Sequence, residues 1–205
     1  MLDAVRRIRA IVDRRHPPGH LPYKLEDIRA AIVEVTGIDF IRFNKYPDGA
    51  DENLNPVRGR FRRYEGQYVP YSGNGTVVEI DYANSLNFCW TRFVVCKEIC
   101  HSLEEDSTVQ VSSFPEIERL IEALQSAHPV EISAAYRPFL SERTAQICAL
   151  ELLCPIRDRR RMIENGSAKK YSEMQIATAF RIPVDYIKTL FDPAYVGLIS
   201  KILEP

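Results

Sequence analysis

The sequence has no long apolar run, no excess of charge of one sign and no even set of cysteines. No stretch approaches the ~18 consecutive apolar residues of a bilayer-spanning helix. With 27 Lys+Arg against 28 Asp+Glu, the formal charge is −1. That balance excludes a general electrostatic pull toward nucleic acid or anionic lipid. The first residues, MLDAVRRIRAIVDRRH, are amphipathic and basic and lack an apolar signal core. The expected compartment is therefore the cytoplasm. The five cysteines, Cys89, Cys96, Cys100, Cys148 and Cys154, all sit in apolar, helix-like stretches. An odd count in such a setting does not read as a disulfide framework; it reads as reduced thiols acting as small buried hydrophobes. In the run Cys96 to His101 the spacer between the cysteines is one residue too long for haem attachment.

What is present is an ordinary globular composition, 45% hydrophobic and 27% charged over 205 residues. This fits one domain, or one with a small appendage, with enough chain to bury a core. Leu2, Val5, Ile8 and Ile11/Val12 repeat at a helical period, which His16-Pro17-Pro18-Gly19 stops. Leu25, Ile28, Ile32 and Val35 repeat it again, up to Gly37. Strands are expected at Ile38 to Phe43, at the arginine-rich Gly59 to Tyr64 as an exposed edge, at Gln67 to Tyr71, and at Thr76 to Asp81. A polar loop, Asn44 to Pro56, separates the first two. Helical segments follow over residues 87 to 104, 115 to 127, 141 to 163, 171 to 180, 184 to 191 and 194 to 203. The order implies an α+β fold: a small twisted, largely antiparallel sheet packed on one central helix, with further helices behind. A linker at Asn165-Gly166-Ser167 divides a body, 1–165, from a C-terminal helical tail, 166–205, that packs on it.

The chemistry is concentrated at Lys97-Glu98-Ile99-Cys100-His101. In an H-E-x-x-H helix, positions i and i+4 share a face, so two imidazoles reach one Zn²⁺ while the Glu acts as base on its water. Here Glu98 holds the base position and His101 the second ligand position, but Lys97 replaces the first histidine.

Farther along, Glu142-x-x-Ala145, Ala149 and Leu152-Leu153-x-Pro155 resemble the E-x-x-A-D-x-F-A-x-x-L-L-x-P motif of the ImmA/IrrE family of metallopeptidases. Val78-Glu79-Ile80-Asp81 followed by Arg92-Phe93-Val94 resembles that family's strand, loop and entry into its catalytic helix. Lys24 to Gly37 is similar to its early helix, and Gln175 to Leu190 to its trailing helix pair. The resemblance implies a zincin-like fold and zinc as cofactor. It makes His101 and Glu142 metal ligands and Glu98 the general base for peptide hydrolysis. Val77, Val78, Glu79 and Ile80 would form a substrate-binding edge strand beside the cleft. Members act in phage, mobile-element and stress-response systems, often on a repressor.

The departures weaken the metal site. An ammonium has no lone pair and repels Zn²⁺; Lys97 can instead pair with Glu98 or Glu142. Gln146 stands where the family has an acid supporting a histidine ligand. Two functions remain: a pseudopeptidase that binds a protein partner such as a repressor or antitoxin, or an active zinc endopeptidase with an unusual ligand set, for which Cys100 is a third donor. A site holding metal weakly through His101 and Glu142 lies between them.

Other features read more plainly. Arg157, Arg159, Arg160 and Arg161 suit a solvated helix end. Arg58, Arg60, Arg62 and Arg63 suit an edge strand protected by charge. Glu173 to Leu190 has helix-turn-helix spacing, but its second helix carries one lysine and one aspartate, too little for a DNA reader. His16, His20 and His128 show no ligand spacing. No nucleic-acid or membrane partner is expected.

Overall fold

Two amphipathic helices open the chain. Helix α1 (Leu2–Arg15) buries Val5, Ile8, Ile11 and Val12, and α2 (Leu25–Thr36) buries Ile28, Ala31 and Ile32. Gly37 ends α2 at φ 69°, a left-handed value that a glycine adopts freely, and its amide reaches Val33 O. The computed structural model describes residues 1–16, 21–47, 59–69, 71, 73–104 and 129–203, without the side chains of residues 2 and 129–140. The helix expected over 115–127, the Pro17-Pro18-Gly19 stop, the loop beyond Pro47, Arg58, His20 and His128 lie outside the described residues.

The sheet has three strands, β1 (Phe40–Tyr46), β2 (Gly59–Gly66) and β3 (Gly75–Ala83), in the order β1-β3-β2. β2 is antiparallel to β3, with Phe61 opposite Ile80. β1 is parallel to β3, with Ile41 opposite Val78 and Phe43 opposite Ile80. The expectation of a largely antiparallel sheet is thus corrected to a mixed one. A parallel pair needs a long crossover, and the chain from residue 47 to 74, which carries β2, supplies it. Gln67 to Val69 forms no strand; Tyr68 instead stacks on Phe40 with ring centroids 5.8 Å apart.

Ile41, Phe43, Phe61, Val78 and Ile80 share the inner face of the sheet by register; β2 and β3 lie over α3 (Phe88–His101), and β1 lies beside α2. On the outer face Arg62 pairs with Glu79 (2.9 Å) and Asp81 (3.1 Å), Tyr64 Oη donates to Glu79 (3.0 Å) and Asn44 donates to Asp81 (3.1 Å). Arg60, Arg62, Arg63 and Tyr64 are exposed on β2, an edge strand of the sheet as their pattern predicts.

α3 is buried on nearly every side because it lies between the sheet and α4 (Pro129–Leu153). Asn87 caps it, its side chain accepting from Trp90 N at 3.0 Å. The single helix expected over 141–163 is two. Pro155 cannot donate a helical amide and disfavours a helical residue before it, so α4 stops at Leu153 and α5 (Ile156–Glu164) begins. Glu151 accepts the amide of Ile156 at 3.1 Å across the break.

Gly166, at φ 71°, turns the chain into α6 (Ser167–Lys170). A capping box between Ser172 and Gln175 starts α7 (Glu173–Phe180). A 3₁₀ turn (Val184–Tyr186), α8 (Ile187–Leu190) and α9 (Pro193–Leu203) complete the chain. Ile176, Phe180, Ile182, Ile187 and Leu190 join the same core as α3 and the sheet. Arg159 is a correction: it is fully buried rather than solvated, ion-paired to Glu151, and donates to Leu190 O at 2.7 Å. Among the described residues no helix is long and apolar enough to cross a membrane.

Candidate functional site

Residues 45 positions apart in the chain converge where α3 meets α4, as Lys97 Nζ lies 2.7 Å from Glu142 Oε2. It also lies 2.9 Å from Glu98 Oε1. His101, one turn on, brings Nε2 to 3.1 Å from the other oxygen of Glu142. That contact is an ion pair without a directed hydrogen bond, since Nε2 is buried and makes none. Glu98 also lies against the start of β2. A Cβ on Gly59 would stand 2.5 Å from Val94 Cγ1 and 2.8 Å from Glu98 Cγ, so only glycine lets the strand this close. Phe61 closes the site on the sheet side, with its ring centroid 6.3 Å from that of His101.

The charges hold one another in place. Burial works against the Lys97 ammonium, but Glu98 and Glu142 outweigh it and hold the pKa above the ordinary lysine value. Burial also pulls His101 down; contacts with Glu104 and Glu142 and the charge of Glu98 overcome it and place His101 at about 9. Burial pushes Glu142 up, yet contact with His101 and the charges of Lys97 and His101 bring it down to about 2. At neutral pH, then, His101 is a cation, Lys97 is a cation and Glu142 is an anion.

Two members of the network escape the sequence reading. Ser141 Oγ lies 3.5 Å from His101 Nδ1 and donates a short hydrogen bond to Glu104, whose Oε1 is also 3.5 Å from Nδ1. The position of Glu104, one helical turn after His101, and of Ser141, next to Glu142, were the available signals. They stand beside His101 where support from Gln146 was expected. Gln146 instead accepts from Arg143 on its own helix, at 3.4 Å.

Two further expectations change. Val77 to Ile80 is not an edge: β3 is the central strand, hydrogen-bonded on both sides, and Val77, Val78 and Ile80 are fully buried. An added peptide finds no free backbone there. Cys100 is fully buried, with Cys96 and Cys148 nearby, and burial raises its thiol pKa well above the ordinary value. A protonated thiol turned into the packing between helices is not a ligand at this site.

Zinc asks for three protein donors with free lone pairs. The position next to Glu142 and Glu98 is filled by an ammonium, the one imidazole present is protonated, and Cys100 is directed elsewhere. Among the described residues no group of three or more His, Cys, Asp or Glu side chains is arranged to hold a metal ion. The donor set does not fit zinc.

Against protein-family models, curated proteins and solved structures, the chain gives no match.

Proposed function

We propose that this chain is a metallopeptidase-like protein of the ImmA/IrrE type whose catalytic centre is replaced by an ion-pair network, and which binds a protein partner, a repressor or antitoxin, without cutting it. The observation that carries the reading is the Lys97 ammonium between Glu98 and Glu142. Its support is twofold. The resemblance assigns residues 97, 98, 101 and 142 to one site, and α3 and α4 bring those four side chains together. The same geometry puts a fixed cation where the chemistry needs a lone pair. The retained helix, strand and second helix then serve as a scaffold for recognition.

The experiment is elemental analysis of protein purified without chelator, together with co-expression of candidate repressor and antitoxin proteins. The expected result is far less than one zinc per chain and an intact complex. About one zinc per chain, lost on Cys100→Ala or His101→Ala, or a partner recovered cleaved, overturns the proposal in favour of the active endopeptidase.

A further inference from the structure

The break at Pro155 turns the chain between α4 and α5, and α1 and the end of α9 pack at that corner. The corner is not filled. A cavity of about 270 Å³ remains, lined by residues of all four helices. Arg6, Arg9 and Asp13 line it from α1, at the three- and four-residue spacings that share a helix face, and Arg157 lines it from α5. Val5, Ala10, Ile156 and Leu203 add apolar wall. Cations exceed anions in this lining. Glu151 is spent on Arg159 and on the Ile156 amide, which leaves Asp13 against three guanidinium groups. Asp13 accepts from Arg9 and, at 2.8 Å, from Arg157. Arg6 meets Asp3 at 2.9 Å, but that aspartate is 88% exposed and the pair is screened by water. Two donors are also left over. Arg6 Nε and Arg157 Nε are buried without a hydrogen-bond partner, and the latter stands 3.6 Å from Asp158 Oδ1, too far to bond it. A buried donor without an acceptor is costly, and here two of them belong to the arginines of one cavity.

We propose that the cavity between α1, the α4–α5 break and the end of α9 is a binding site for a small organic carboxylate, its acid group held by Arg6 and Arg157 and its hydrocarbon body packed on Val5, Ala10, Ile156 and Leu203. The guanidinium fork matches a carboxylate, and the ligand supplies the anion that the lining lacks. The apolar wall selects against inorganic phosphate, which has no body to bury. The volume suits a short chain or a single ring. The site shares no residue with the Lys97 cluster. Glu151 and Glu142 stand on the same helix, about 13 Å apart along its axis at about 1.5 Å per residue. The inference therefore goes beyond the partner-binding reading and does not depend on it.

The test is an amide chemical-shift titration of the full chain at constant ionic strength, with hexanoate and benzoate as probes and with hexan-1-ol and inorganic phosphate as controls. At least one of the two acids is expected to give saturable shifts confined to α1, the α4–α5 break and the end of α9, with a Kd of about 1 mM or below, as suits so small a ligand. Hexan-1-ol has the body without the charge, and phosphate the charge without the body; both are expected to bind far more weakly. Arg6→Met and Arg157→Met are each expected to weaken binding roughly tenfold or more. Arg157 also holds Asp13 and Tyr23, so Ala10→Phe serves as the variant that leaves every charge in place. Ala10 is an exposed helical position, and the larger side chain narrows the cavity and should abolish binding without lowering Tm. No saturable shift with either acid overturns the proposal. So does hexan-1-ol or phosphate binding as well as the acids, or a folded Ala10→Phe that binds like the native chain.

Discussion

Gly59 lies directly against Glu98, leaving no space for even a methyl group: an added Cβ would meet the Glu98 carboxylate at 2.9 Å and Val94 Cγ1 at 2.5 Å. The start of β2 is thereby pressed onto the helix that carries the candidate site. Val94 is β-branched and buried and cannot step aside cheaply. Gly59→Ala is expected to cost about 1–3 kcal/mol through overpacking. Urea unfolding checks it: the midpoint should fall while the slope stays constant.

The charged network gives stability a defined pH window. His101, held at about 9 against an ordinary 6.5, contributes stability that is fully present below pH 6.5 and lost as pH rises through 9. Glu142, held at about 2 against 4.5, contributes stability present above pH 4.5 and lost as pH falls through 2. Both contributions are whole only between about 4.5 and 6.5, and stability should decline on the alkaline side, by an amount on the order of 3 kcal/mol from His101. His101→Asn should flatten the alkaline limb of a stability–pH profile. A native profile that is level from pH 6 to 9.5 excludes this account.

Much of this was legible in the sequence, and what escaped did so for definable reasons. The helices around Val5 and Ile8, around Ile28 and Ile32, and the α3 segment announce themselves by period, a property of neighbours in the chain. So does the exposed character of Arg60, Arg62 and Arg63 on β2. The parallel partnership of β1 with β3 does not, because alternation says which face a residue takes and nothing about which strand lies beside it. The placement of β3 in the centre, which removes Val77 to Ile80 as an edge, follows from that same hidden pairing. Within the site, spacing on α3 and the Glu142 motif located the four converging residues, whereas the orientation of Gln146 toward Arg143 depends on rotamers that no pattern encodes. Pro155 was a visible stop that the apolar pattern on either side concealed.

Arg92 joins three separate parts of the chain. It is 5% exposed, and from α3 it donates to Tyr23 O at 2.6 Å and to Arg181 O at 3.2 Å. Arg92→Met keeps the stem's packing but strands both carbonyls, at a cost of about 2 kcal/mol, or a Tm lower by roughly 4–8 °C. Arg92→Lys is expected to restore less than half of this, because a point-like ammonium does not span two acceptors as the guanidinium fork does. Differential scanning calorimetry of the two variants decides it; equal Tm values for Arg92→Lys and the native chain overturn the bridging role.

Arg159 and Glu151 form the most deeply buried ion pair among the described residues, at 0% and 1% exposure. Glu151 also caps α5 through the Ile156 amide, and Arg159 anchors the Leu190 carbonyl of α8. A buried pair gains little over an apolar pair of the same volume, yet removing one partner strands a charge in the core. Arg159→Met is therefore expected to destabilise the protein by about 3–5 kcal/mol. Arg159→Met/Glu151→Gln should recover a large part, since a neutral amide oxygen still accepts from Ile156 and no charge is left unpaired. The coupling between the two positions is then strongly favourable in a double-mutant cycle read by urea unfolding. If the double variant is as unstable as the sum of its singles, the pair acts through packing rather than charge, and the α4–α5 break at Pro155 is held by something other than the Glu151 carboxylate.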